Sequence, residues 1–75
     1  MTPFCAAVVA ILKQHTQGVD AYRLREALMD QGMGKHPAGV AMNLTKLAFK
    51  GEYITQHCER DGGRMFMLTA KGKAS

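Results

Sequence analysis

Apolar residues recur at helical spacing through the first two thirds of the chain and at strand spacing after that. Phe4, Val8, Ile11 and Leu12 fall at i, i+4, i+7 and i+8, one face of a helix. Thr2 can cap this helix and Pro3 suits its first position. Cys5 and Val9 widen the apolar arc and His15 extends it, so the pattern predicts a helix over about residues 3–15. An arc this broad points either to a subunit contact or to a helix wrapped into a small core. Thr16-Gln17-Gly18 breaks the pattern. Asp20 then stands as the N-cap of a second helix over about residues 20–31, with Val19 and Leu24 placed as a hydrophobic staple. Ala21, Leu24 and Leu28 form its inner stripe, and Ala27 widens it. Gly32 suits the position just past its end, and Gln31-Gly32-Met33-Gly34 reads as a tight turn. Pro37 opens a third helix over about residues 37–50, with Val40, Leu44, Leu47 and Ala48 inward and Gly51 closing it.

After Gly51 the period drops to two. Tyr53 to Cys58 predicts a strand over about residues 53–59, Asp61-Gly62-Gly63 signals a hairpin turn, and Arg64 to Thr69 predicts the returning strand over about 64–69. The small, basic tail from Ala70 to Ser75 is expected to fray. Residues 1–75 thus read as one α+β domain of three helices and a C-terminal two-stranded hairpin.

Composition narrows the class. With 47% hydrophobic and 21% charged residues, the chain is too apolar to stay disordered. A chain this short buries only about 60% of its unfolded surface, so its core is small. No secretory signal is expected, since Met1 to Ala10 lacks a basic start. The longest apolar run, Cys5 to Leu12, is far short of the ~20 residues of a membrane span, so no membrane partner is expected. Cys5 and Cys58 read as free thiols in a reducing cytoplasm; a Cys5–Cys58 bridge is the alternative.

The net charge of +4 is unevenly placed. Residues 1–34 balance three basic against three acidic side chains, whereas residues 35–75 carry seven basic and three acidic ones. An excess confined to one half favours a polyanionic partner.

Two stretches carry a family resemblance. Leu44-Thr45-Lys46-Leu47-Ala48-Phe49-Lys50-Gly51-Glu52-Tyr53-Ile54 is similar to the exit of a recognition helix, where a Leu-x-x-Leu run meets a glycine and an apolar strand. Phe66-Met67-Leu68-Thr69-Ala70-Lys71-Gly72 is similar to the aromatic-x-Leu-Thr-x-x-Gly ending of a second wing strand. In this order, with the Gly-rich turn Asp61-Gly62-Gly63 between them and helices two and three at helix-turn-helix spacing, the chain resembles the winged helix-turn-helix superfamily from about Phe4 to Lys73. The resemblance implies a third helix in a major groove and a hairpin wing on the adjacent backbone or minor groove. It further implies a transcription regulator of bacterial or phage type, often a homodimer, located in the cytoplasm on the nucleoid. Some members of that superfamily bind RNA or proteins instead.

Duplex DNA requires cations on phosphates and side chains on base edges. The outward face of the third helix is expected to hold Ala38, Met42, Thr45, Lys46 and Phe49, flanked by Gly39 and Asn43, with Lys35 and His36 at its start and Lys50 at its end. Asn43 suits adenine and Lys46 suits guanine or phosphate; Ala38, Met42 or Thr45 suits thymine methyls. Arg60 and Arg64 flank the wing tip and suit a narrow minor groove, and Lys71 and Lys73 suit phosphates. The face has no arginine and offers Met42 and Phe49, which points to an alternative: a protein-binding module, such as a small inhibitor of a host or defence complex. Phe49 is expected under the wing or in a dimer contact if DNA is the partner.

Other chemistry finds little footing. His57 and Cys58 are adjacent on a strand and point to opposite faces, and no Cys-x-x-Cys or His-x-x-x-His spacing occurs, so no metal or other cofactor is expected. Cys58 reads as a small core residue and His57 as an exposed one. No nucleophile–base pair, paired carboxylates or phosphate-cradling loop stands out, and no enzymatic activity is expected. Met29, Met65 and Met67 read as gap fillers in the core.

Overall fold

The computed structural model describes residues 1–75. It contains four helices and one three-stranded antiparallel sheet, in the order α1 (Pro3–Lys13), β1 (Val19–Asp20), α2 (Ala21–Asp30), α3 (Pro37–Lys50), β2 (Ile54–Cys58), β3 (Arg64–Leu68) and α4 (Ala70–Ala74). The sheet order is β1-β3-β2, so β3 is central and the hairpin partner β2 lies at one edge.

Local chemistry accounts for the helix ends. The Thr2 hydroxyl accepts from the Cys5 amide at 3.1 Å, and an Asp20 carboxylate oxygen accepts from the Arg23 amide at 2.9 Å, each satisfying a donor the helix leaves orphaned. At the end of α2 the Gly32 amide donates to the Met29 carbonyl and the Met33 amide to the Leu28 carbonyl. With Gly32 at φ +75°, this is a Schellman closure. Met33 then packs against the core that holds Leu28. Gly51 ends α3 in the left-handed conformation at φ +70°.

The core joins all three long helices to the sheet: Val8 and Leu12 of α1, Leu24 and Leu28 of α2, Val40 and Leu44 of α3, with Val19, Ile54 and Phe66. Phe66 faces Val19 on one neighbouring strand and Gln56 on the other. The hydrophobic staple is formed, since Val19 and Leu24 are both buried in this cluster.

Five local expectations need correction. First, α1 stops at Lys13, not at residue 15. Its last turn tightens, with the Gln14 amide bonded to the Ile11 carbonyl and the His15 amide to that of Leu12. The chain must reverse at Gly18 (φ +95°) to bring Val19 beside Phe66, and His15 is left exposed. Second, the sheet has three strands, because Val19 and Asp20 pair with Phe66 and Met65 before α2 begins. Third, the tail forms a short helix, α4. Thr69 caps α4 by accepting from the Gly72 amide at 3.0 Å, and its hydroxyl donates to the Glu52 carbonyl at 2.6 Å. Fourth, Cys58 is exposed. It pairs with Arg64 at the far end of the hairpin, away from the core. Fifth, Met65 and Met67 share the outer face of the sheet with His57 and Thr55; of the three methionines, only Met29 packs against the core.

The broad apolar arc of α1 is largely used within the chain. Cys5, Val8, Val9 and Leu12 are buried, and Phe4, Ala7 and Ile11 pack partly against the core. Pro3, Ala6 and Ala10 remain exposed. No helix is long and apolar enough to cross a membrane.

Candidate nucleic-acid interface

The outward face of α3 follows from its inner one. Burying Val40 and Leu44 turns Ala38, Gly39, Met42, Asn43, Lys46 and Phe49 to solvent, and all six are exposed. Met42 is 60% exposed and Phe49 93%, so Phe49 does not tuck under the hairpin. Lys35 and His36 are exposed just before the helix. His36 occupies the N-cap position with extended backbone and no side-chain capping bond, leaving its ring free of the helix. Asn43, Lys46 and Lys50 border a shallow depression shared with Thr2 and Phe4 at the start of α1.

Thr45 departs from the expected free contact. It is half-buried, its hydroxyl donates to the Ala41 carbonyl at 3.0 Å, and it accepts from an Arg64 guanidinium nitrogen at 3.2 Å. Arg64 is half-buried, and through this bond it fastens the loop-side end of the hairpin to the flank of α3.

The hairpin tip is tighter than the glycine pair suggests. The Gly62 amide donates to the Glu59 carbonyl at 3.0 Å and the Glu59 amide to the Gly63 carbonyl at 2.7 Å. Gly62 sits at φ +87°, and no non-glycine residue has positive φ. This is a three-residue loop with a left-handed glycine. An Asp61 carboxylate oxygen braces it by accepting from the Gly63 amide at 3.0 Å. Arg60 thus stands in the loop itself, exposed, and does not flank it in a pair with Arg64.

The remaining cations divide into free and engaged. Glu52, the only acidic residue from Gln31 to Cys58, lies 2.8 Å from Lys71 Nζ and 3.7 Å from Lys50 Nζ. The Lys71 hydrogen bond holds the Glu52 carboxyl below its usual range, and the same bond holds the Lys71 ammonium above its own. Lys71 also lies over the Tyr53 ring at 5.2 Å. Lys71 is therefore part of the α4 anchorage, contrary to its expected role as a free phosphate contact. Lys73 borders a different depression with Lys13, His15 and Met67, to which α3 contributes nothing. Lys35, Lys46 and Arg60 form no ion pair.

One further feature escaped the sequence pattern. Gln56 lies on the helix-facing side of β2 opposite Phe66, and its buried Oε1 has no hydrogen-bond partner. Cys5, on the apolar arc the sequence indicated, is buried and lines a depression with Met1, Leu47 and Tyr53, and its burial pushes its thiol up from the usual range. The two cysteines are unbridged. No cluster of three metal-ligating side chains forms. Comparison of the chain with protein-family models, with curated proteins and with solved structures finds no match.

Proposed function

We propose that this chain is a winged helix-turn-helix domain that binds double-stranded DNA in a sequence-selective way, as a transcription regulator without enzymatic activity. The observation that carries the reading is the outward face of α3: exposed, free of acidic side chains, and linked through the Arg64–Thr45 bond to a hairpin that ends in an exposed Arg60. A helix of 14 residues is about 21 Å long and about 10–12 Å across. That cross-section fits a major groove about 12 Å wide. Ala38 and Gly39 leave the first turn thin enough for backbone to approach the duplex. Asn43 supplies base-edge readout, Lys35 and Lys46 supply phosphate or guanine contacts, and Arg60 reaches the neighbouring backbone or minor groove.

One such helix covers few base pairs, so useful selectivity calls for two copies on an operator with two half-sites. The exposed Pro3, Ala6 and Ala10 of α1 offer a second copy a small-residue surface.

The test is binding of random-sequence duplex DNA at several salt concentrations, on protein of known oligomeric state. With Lys35, Lys46 and Arg60 on phosphates, the logarithm of affinity falls against the logarithm of salt with a slope of about −3 per protomer. Absence of binding at low salt overturns the proposal. The exposure of Met42 and Phe49 favours a second reading, a protein-binding module; its contacts would be largely indifferent to salt.

A further inference from the structure

Phe49 is the most exposed large hydrophobic side chain of the protein, and nothing in the fold uses it. Its surroundings are cationic. Lys46 stands one turn before it on the same helix and Lys50 directly follows it, while the nearby Glu52 is engaged by Lys50 and Lys71. A second copy docked through the same face would oppose lysine to lysine. An apolar groove on another protein would cover the ring and gain nothing from the lysines. A nucleic acid meets both demands, with phosphates for the ammonium groups and a base face for the ring.

The state of the nucleic acid then matters. In a continuous duplex each base is stacked on its neighbours and shows the grooves only its edge. A nucleotide without a pairing partner exposes its whole face. Met42, Lys46 and Phe49 follow at i, i+4 and i+7, so the ring lies about 10 Å along the helix from Met42, at the C-terminal end of the outward face.

We propose that Phe49 stacks on an unpaired base adjoining the duplex held by α3, so that the protein prefers duplex interrupted by a short single-stranded gap over continuous duplex. This deepens the duplex-binding reading and rests on it.

Fluorescence anisotropy with a labelled continuous duplex and the same duplex carrying a short gap tests the inference. The gapped form is expected to bind about tenfold tighter. Phe49→Ala is expected to bring the ratio of the two affinities to about one, and Phe49→Tyr to preserve it, since any base face stacks on any aromatic ring. Lys46→Ala is expected to weaken both affinities together and leave the ratio standing. Because the chain has no tryptophan, Phe49→Trp installs a single reporter whose emission is expected to be quenched by gapped but not by continuous duplex. Equal binding of the two DNAs by the parent overturns the stacking inference alone. So does a ratio that survives Phe49→Ala, or Trp emission that gapped DNA leaves unchanged while binding. Failure of both DNAs to bind at low salt overturns the duplex reading as well and turns the search to protein partners. An unshifted melting temperature for Phe49→Ala confirms that the variant folds.

Discussion

Arg60 and Arg64 lie four residues apart around one glycine pair, yet the fold sets the first within the loop and the second on the strand. Neither makes an ion pair; Arg64 is half-buried and bonds to Thr45, tying the hairpin to α3, while Arg60 is exposed in the loop. Arg64→Ala is expected to lower stability by about 1 kcal/mol, the worth of one such bond, read from the urea unfolding midpoint. Arg60→Ala is expected to leave that midpoint in place and to shallow the salt slope of DNA binding by about one. A common effect of the two substitutions on both readouts would contradict this division. Gly72 is another residue whose identity matters singly. A Cβ there would overlap the Tyr53 carbonyl, and Leu68 Cδ2 lies only 2.9 Å from where it would sit. Because the main obstruction is backbone, α4 must shift. Gly72→Ala is expected to cost about 1–3 kcal/mol and to expose the Lys73 amide, now bonded to the Thr69 carbonyl, to fast hydrogen exchange.

At the scale of the element, α3 packs its inner face against α2 and β2, while the proposed DNA-binding role asks its outer face for a thin, approachable backbone. Gly39 is exposed in the first turn and a Cβ there would meet nothing, so the fold does not require glycine at that position. Gly39→Ala is expected to stabilise the domain by about 0.5–1 kcal/mol through helix propensity. If the backbone at Gly39 approaches the duplex, the added methyl group is also expected to lower DNA affinity several-fold. Melting temperature and affinity therefore move in opposite directions, and calorimetry beside anisotropy checks the pair. A variant that is more stable and binds equally well would place the close approach elsewhere. The α4 element has a different logic, since its five residues have no apolar stripe to bury. Thr69 and the Lys71–Glu52 bond hold it to the strand entry that follows α3.

For the whole molecule, that ion pair makes the seating of α4 depend on pH. The folded Glu52 carboxyl lies below its usual range, so its contribution is present above the unfolded value and is lost as pH falls through the folded one. The folded Lys71 ammonium lies above its usual range, so its contribution is complete below the unfolded value and is lost as pH rises through the folded one. Amide shifts of residues 70–74 are expected to hold steady across the neutral range and to move at the acid and alkaline ends. Glu52→Gln is expected to flatten both movements and to free Lys50 and Lys71, raising DNA affinity at low salt. Unaltered titration in that variant would show that another group anchors α4.

Much of this molecule was legible in residue order because its signals are local. Capping residues, helical stripes and glycines past helix ends act within one or two turns, so Thr2, Asp20, Gly32 and Gly51 mark boundaries that the fold keeps. The outward face of α3 was legible for the same reason: once Val40 and Leu44 are buried, helical geometry turns Met42, Lys46 and Phe49 to solvent. What depends on distant partners was not legible. A two-residue β1 has no period of its own and exists because Phe66 and Met65 lie beside it. The binding of Arg64 by Thr45, the capture of Lys71 by Glu52 and the lodging of Gly72 against Tyr53 join residues 19 apart in the chain. Sequence order by itself determined which side chains could meet a partner. Tertiary structure decided which of the cations remain free to do so, because a charge is spent or spared only by what the fold sets beside it.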